Sequence, residues 1–210
     1  YFLDKMEFKY FNTNIGFRLD YLDPNTEVPI DYRDLKGADG LMTDADFEQV
    51  KKTIEVSPRL GFSFPITDKT IFHAQYGKFI QLPALEELYT NRRILRDLAD
   101  GGVGYFTVFQ NPLLKPEKTT AYELGLQHQA GDYLTFSLTA YYKETSDLIQ
   151  AINIQAYDKS YGFAIYNNGD FGVIRGIDFG LDLRRVNRLR ASISYSLSFA
   201  SGTGSDINSL

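Results

Sequence analysis

Cysteine and tryptophan are missing from this chain of 210 residues, and histidine appears only twice. Without Cys there is no disulfide framework, no thiolate zinc site and no Cys nucleophile. His73 and His128 fall in separate segments, so neither a Ser-His-Asp triad nor a His-based metal site finds support. Concentrated positive charge is missing too: the net charge is -5, and Arg92, Arg93 and Arg96 are the nearest approach to a basic patch. A nucleic-acid surface is excluded on that ground, because phosphate binding needs clustered Lys and Arg. No apolar run approaches the ~18 residues of a membrane helix, and mean hydropathy is negative at -0.27. A β-barrel escapes that last test, since half of every spanning strand faces a polar interior.

What the chain has in quantity is aromatic residues and glycine, with 16 Phe, 15 Tyr and 17 Gly, a composition that favours strands over helices. The clearest periodic stretch runs from Thr119 to Lys143, interrupted by Ala130-Gly131-Asp132. In its second half Leu134, Phe136, Leu138, Ala140 and Tyr142 alternate with Thr135, Ser137, Thr139, Tyr141 and Lys143. Successive strand side chains point to opposite faces, so one surface is apolar and the other polar.

The same period recurs along the chain. Met6, Phe8 and Tyr10 alternate with Lys5, Glu7 and Lys9, and after an expected turn at Phe11-Asn12-Thr13-Asn14 the series Ile15, Phe17, Leu19, Tyr21 takes over. Leu60, Phe62 and Phe64 lead to a turn at Pro65 to Asp68 and return as Phe72, Ala74 and Tyr76. Val173, Ile177, Phe179, Leu181 and Leu183 precede a turn at Arg184 to Arg188, and Ile193, Tyr195, Leu197 and Phe199 then alternate with Ser192, Ser194, Ser196 and Ser198. This makes about eight strands in four hairpins, each of about 9 to 11 residues, the tilted length that crosses a bilayer.

The links are asymmetric. Short turns close one end, while connections at Asp23 to Val56, Ile80 to Pro116 and Glu144 to Tyr166 occupy the other. Within them, short helices are expected at Asp44 to Lys52 and at Pro83 to Tyr89, and flexible loop at Gly101 to Gly104. Outer-membrane barrels carry this division between short turns and long loops, whereas sandwiches mix link lengths at both ends. A soluble or surface β-sheet ligand-binding module would show the same alternation with its faces reversed. Two features favour lipid: aromatics gather near strand ends (Tyr10, Tyr21, Tyr76, Tyr133, Tyr142, Phe199), and mid-strand positions of the apolar phase carry no charge. Arg175 and His128 share that phase near strand ends, where charge reaches the headgroups at low cost.

Asn111-Pro112-Leu113-Leu114-Lys115-Pro116-Glu117-Lys118-Thr119 followed by Glu123-Leu124-Gly125 resembles a motif of TonB-dependent outer-membrane receptors. Tyr76-Gly77-Lys78-Phe79-Ile80-Gln81-Leu82-Pro83 with Leu85-Glu86-Glu87-Leu88-Tyr89, Gly16 to Tyr21 and Ser57 to Gly61 are similar to other segments of that family, in the family's order. The resemblance implies an all-β, antiparallel transmembrane β-barrel, with residues 1–210 supplying about eight consecutive strands of a larger barrel of about 22. The expected piece holds no plug domain, TonB box, signal peptide or terminal strand. The implied function is TonB-dependent, energy-coupled uptake of a nutrient ligand (iron chelate, cobalamin, saccharide or peptide) across the outer membrane of a Gram-negative-type bacterium. Its partners would be outer-membrane lipid, a TonB-type energy-coupling complex acting through the plug, and the small ligand, with no nucleic acid, no cofactor and no enzymatic role.

Glu117 and Glu123 are expected at the lumen or rim, where Arg59 could pair with them. Asp39, Asp44, Asp46 and Glu48 lack the spacing of a calcium loop, and no metal or catalytic residue is assigned. Loop aromatics Tyr89, Tyr105, Phe106, Phe109, Tyr157, Tyr161 and Phe163 are the candidate ligand-binding set, with packing between loops as the competing role.

Overall fold

The computed structural model describes residues 1–37, 40–89, 91–101, 108–186 and 188–203, the side chains of 185 and 186 excepted. Among the described residues ten strands form: β1 (Phe2–Glu7), β2 (Asn12–Leu22), β3 (Glu27–Pro29), β4 (Phe47–Gln49), β5 (Thr53–Thr67), β6 (Thr70–Gln81), β7 (Glu117–Ala130), β8 (Leu134–Gln155), β9 (Gly162–Val186) and β10 (Leu189–Gly202). Eight of them make one antiparallel sheet in the order β1-β2-β5-β6-β7-β8-β9-β10, and β3 pairs with β4 in a separate ribbon. Every pair in the large sheet joins neighbours in chain order, as in an up-and-down barrel wall.

The register explains the alternation. Ile15, Leu60, Tyr76, Tyr122, Tyr142, Arg175 and Phe199 align across seven strands in a single row. One step toward the short turns the row reads Thr13, Phe62, Ala74, Leu124, Ala140, Ile177 and Leu197, and the next includes Phe64, Phe72, Leu126, Leu138, Phe179 and Tyr195. Because side-chain period is two, all these residues share one face. That face is uncovered: Leu124 is 55% exposed, Ile177 49% and Phe199 59%. A contiguous apolar surface this large far exceeds the few hundred Å² that a monomer keeps in water.

The apolar window also slides along the strands. Its loop-side limit lies at Tyr21 opposite Ile54 on β2 and β5, but at Tyr142, level with Leu60, on β8. Strands tilted in a barrel cross a horizontal slab with that stagger.

Four expectations change most. The first turn closes at residues 8–11, with the Phe8 N–H donating to the Phe11 carbonyl (2.9 Å) and Glu7 opposite Asn12, rather than at 11–14. The two rings stack across it at 4.6 Å, so alternation runs straight through the bend. Six of the eight sheet strands are longer than nine to eleven residues, reaching 22 in β8 and 25 in β9, whereas β2 has 11 and β1 only 6. The connection expected at Glu144 to Tyr166 is mostly an extension of that hairpin, closed by residues 156–161. A register shift between Thr145 and Leu148, with Asp147 at φ 59°, breaks the sequence phase there. Finally, Asp44 to Lys52 is not a helix: a 3-10 turn at Asp44–Asp46 leads into β4.

Two helices form among the described residues of the second long connection. α1 (Leu85–Leu88) is a single turn, and α2 (Arg92–Ala99) begins at Asn91, whose side chain accepts from the Arg93 N–H. Gly101, at φ +82°, follows its end and donates to the Leu98 carbonyl (3.1 Å), a left-handed stop that glycine takes without strain.

Candidate functional site

Two regions could meet a ligand: the inward face of the sheet and the packed loops above it. The inward face holds a trough of about 820 Å³, lined in part by Asn14, Arg59, His73, Gln75, Glu123 and Lys143. His73 Nε2 lies 3.6 Å from Glu123 Oε1, so the two carry opposite charge only when His73 is protonated. His73 fits because Gly125 stands opposite it, leaving the ring the space that a Cβ would take. Arg59 does not pair with Glu117 or Glu123. Its guanidinium lies over the Phe79 ring at 4.7 Å, and Lys143 lies over Tyr141 at 5.5 Å. The wall therefore offers two cations with no carboxylate partner among the described residues.

The molecule's core is in the loops rather than between strands. Leu35, Leu95, Leu98, Ala99, Phe109, Phe163 and Ile165 form one buried cluster, with Tyr32, Ile152, Ile154 and Tyr161 packed against it. The first long loop, α2 and the β8-β9 extension all contribute. Tyr161 Oη accepts from the Leu35 N–H (3.0 Å) and donates to the Tyr32 carbonyl (3.3 Å), while Tyr157 Oη donates to Asp31 (3.1 Å). Arg92 ties α2 to the β3-β4 ribbon through Glu27 (3.3 Å) and Asp44 (3.1 Å), with its guanidinium 3.9 Å from the Phe47 ring centre. At the loop's base Asp23 meets Lys52 at 3.1 Å, and that ammonium holds the Asp23 carboxyl below its ordinary value.

Of the aromatic candidates, Phe109 and Phe163 are buried, their ring centroids 4.9 Å apart. Tyr161 is half-buried beside them. Tyr89 and Tyr157 keep exposed rings, at 47% and 68%, and Tyr89 Oη donates to the Pro24 carbonyl (3.1 Å). Tyr105 and Phe106 lie outside the described residues, as do Asp39 and Gly102 to Gly104. No group of three or more His, Asp or Glu able to hold a metal ion occurs among the described residues.

Burial pushes the Tyr32 and Tyr161 phenols upward, and Tyr32 Oη has no partner among the described residues. The unfolded loops release these protons near pH ~10 while the folded loops retain them. Their contribution is full below that pH and is lost as pH rises beyond it. Proteolysis of the loops in the full-length protein should accelerate above about pH 10, and identical cleavage rates on both sides of that pH would contradict this.

A family comparison fits this geometry. The family model described as TonB dependent receptor-like, beta-barrel matches residues 1–209. The chain belongs to that family. No curated protein matches. Among solved structures, a mutant of the ferric enterobactin receptor PfeA from Pseudomonas aeruginosa is 18% identical, with a TM-score of 0.60 over 93% of this chain and 26% of that one. The siderophore receptor PirA from the same organism is 16% identical, with a TM-score of 0.59 over 96% of this chain and 30% of that one. The FrpB iron transporter from Neisseria meningitidis is 15% identical, at 0.59 over 98% and 26%. The chain thus spans about a third or less of each of these receptors, and identities this low establish the fold alone.

The motif that marks the TonB-dependent receptor segment proves to be a set of backbone anchors. Asn111 is buried, with Nδ2 donating to the Tyr166 carbonyl and Oδ1 accepting from the Leu113 N–H, both 2.9 Å. Asn168 answers from β9, accepting from the Lys115 N–H (2.7 Å) and donating to its carbonyl (2.9 Å). Glu117 Oε1 accepts from the Ile149 N–H (3.1 Å), just past the bulge in β8. These groups hold the descending loop against the hairpin, a role invisible in the sequence because the partners lie 32 to 55 positions away. Asn111→Ala should cost about 1–3 kcal/mol by removing two part-buried hydrogen bonds to backbone groups. Amide exchange at residues 109–116 would rise, and unchanged protection would rule this role out.

Proposed function

We propose that residues 1–210 are a single stretch of barrel wall, with its outer loops, in an outer-membrane receptor that imports a small nutrient ligand under TonB-type energy coupling. The carrying observation is the eight-strand sheet, with a broad apolar band on one face and polar side chains on the other, and with its long connections gathered at one end. Lipid of the outer membrane of a Gram-negative-type bacterium covers the apolar face. A plug elsewhere in the protein occupies the polar side and receives the coupling force. The sheet is one arc of a barrel of about 22 strands. The protein is a transporter rather than an enzyme.

The names of the neighbouring structures, which mention iron, siderophore and ferric enterobactin, make a ferric chelate the first ligand to test. The exposed rings of Tyr89 and Tyr157 would contact it, with Phe109, Phe163 and Tyr161 beneath as support. Tyr105 and Phe106 join the candidate contacts on the strength of the sequence.

The experiment expresses the full-length gene, fractionates the cells, and follows radiolabelled ferric chelate with and without an uncoupler of the proton-motive force. Recovery in the outer membrane and uncoupler-sensitive uptake are expected. A full-length product found in the aqueous fraction, as a soluble binding module would be, sinks the reading. Uptake insensitive to the uncoupler sinks its energy-coupled part. A membrane product that takes up no ferric chelate removes that ligand and leaves cobalamin, saccharide and peptide to be assayed in the same way.

A further inference from the structure

On β9 the outward series Leu183, Leu181, Phe179 and Ile177 is apolar until Arg175 interrupts it. Arg175 stands in the row between Tyr142 on β8 and Phe199 on β10, at the loop-side limit of the apolar window. Headgroup phosphates lie at that depth, and interfacial aromatics mark it. The guanidinium has no ion pair or hydrogen bond among the described residues. Glu144, the only acidic group in a diagonal outward position among the described residues, lies on the β8 side opposite Val173 and forms no ion pair with Arg175.

On the other side, toward β10, a shallow groove of about 350 Å³ is lined by Arg175, Ile177, Leu197 and Phe199, with Tyr141 and Gly176 completing it. The first four occupy outward register positions, so the groove opens on the apolar face. A strand added beyond β10 would lie beside it in the sheet and leave this face open. An unpaired cation at the head of an apolar groove matches the two ends of a phosphate-bearing lipid, and the charge is complementary.

We infer that Arg175 and the Ile177-Leu197-Phe199 groove bind a phosphate-bearing membrane lipid, phosphate on the guanidinium and acyl chain along the groove. This rests on the membrane placement proposed above. A zwitterionic lipid would bind less well, since its ammonium meets the same cation.

The test uses the full-length receptor, purified from the outer membrane into detergent, with dioleoyl phosphatidylglycerol as probe and native mass spectrometry as readout. Arg175→Gln should weaken phosphatidylglycerol retention about fivefold, and Arg175→Lys should keep it within about twofold because it retains the charge. Leu197→Trp should weaken it with the cation intact, by filling the groove. Retention unchanged in Arg175→Gln, phosphatidylcholine retained as well as phosphatidylglycerol, or inorganic phosphate alone competing as strongly as lipid would each overturn the assignment. Failure of the parent reading looks different: the full-length protein would then not be in the membrane fraction at all.

Discussion

Phe163→Ala should open the outer loops while leaving the barrel wall intact. Phe163 is 5% exposed, and its ring meets Phe109 at 4.9 Å, Tyr32 at 6.1 Å and Tyr161 at 6.2 Å between centroids. It is the one side chain in these contacts that reaches the first loop, the second loop and the hairpin tip. Truncating a buried Phe costs about 3–5 kcal/mol, and here the loss falls on segments joined to the wall mainly through this cluster. The ladder from Gly172 to Leu183, which pairs with β8 from Leu134 to Thr145, makes no use of it. In the full-length receptor, protease should therefore cut residues 23–52 and 91–101 readily, while the barrel keeps its resistance to unfolding by detergent at room temperature. Phe179→Ala, on the apolar outer face, is the control and should leave loop cleavage unchanged. Loops as resistant in Phe163→Ala as in the parent would mean that the cluster does not hold them.

The contrast between those two phenylalanines also separates what could be read in the sequence from what could not. On the proposed membrane placement, Phe179 belongs to a row whose neighbours are dictated by two solvents, lipid outside and water inside, and that constraint repeats every second residue. Periodicity therefore recovers Leu134 to Tyr142 and Ile193 to Phe199 with the correct faces. Phe163 is set by contacts with Phe109 and Tyr32, which have no fixed spacing from it. α2 is not legible in the sequence for the same reason: its buried side is only Leu95, Leu98 and Ala99, amid three arginines, and these become a core only when Leu35 and Phe109 arrive from elsewhere. The extension of β8 is not legible in the sequence because the shift near Asp147 resets the phase, after which Ile152 and Ile154 pack against the loop cluster. The recognisable Asn111 to Gly125 segment pointed to the family, yet the reach of Asn111 to Tyr166 and of Glu117 to Ile149 depends on a hairpin whose length the sequence concealed.

Leu138→Arg and Thr139→Arg should differ sharply although the positions are adjacent. Leu138 faces outward between Leu126 and Phe179, midway along the apolar stretch of β8, and is 47% exposed. An arginine there meets hydrocarbon, at about 2–4 kcal/mol near the bilayer midplane, and no acidic residue shares its row from Phe72 to Tyr195. Thr139 points the other way, opposite Asp178 on β9 and Gly125 on β7. An arginine there enters the polar lumen beside a carboxylate and should change stability by no more than about 0.5 kcal/mol. Folding of the full-length receptor into phosphatidylcholine vesicles, titrated with urea, measures both. A large loss at Leu138 with little at Thr139 establishes which face lipid touches. The opposite order would turn the sheet inside out and make it a soluble barrel wall with an apolar interior. Equal losses would mean that neither face is committed to one solvent, which the uninterrupted row from Phe64 to Tyr195 argues against.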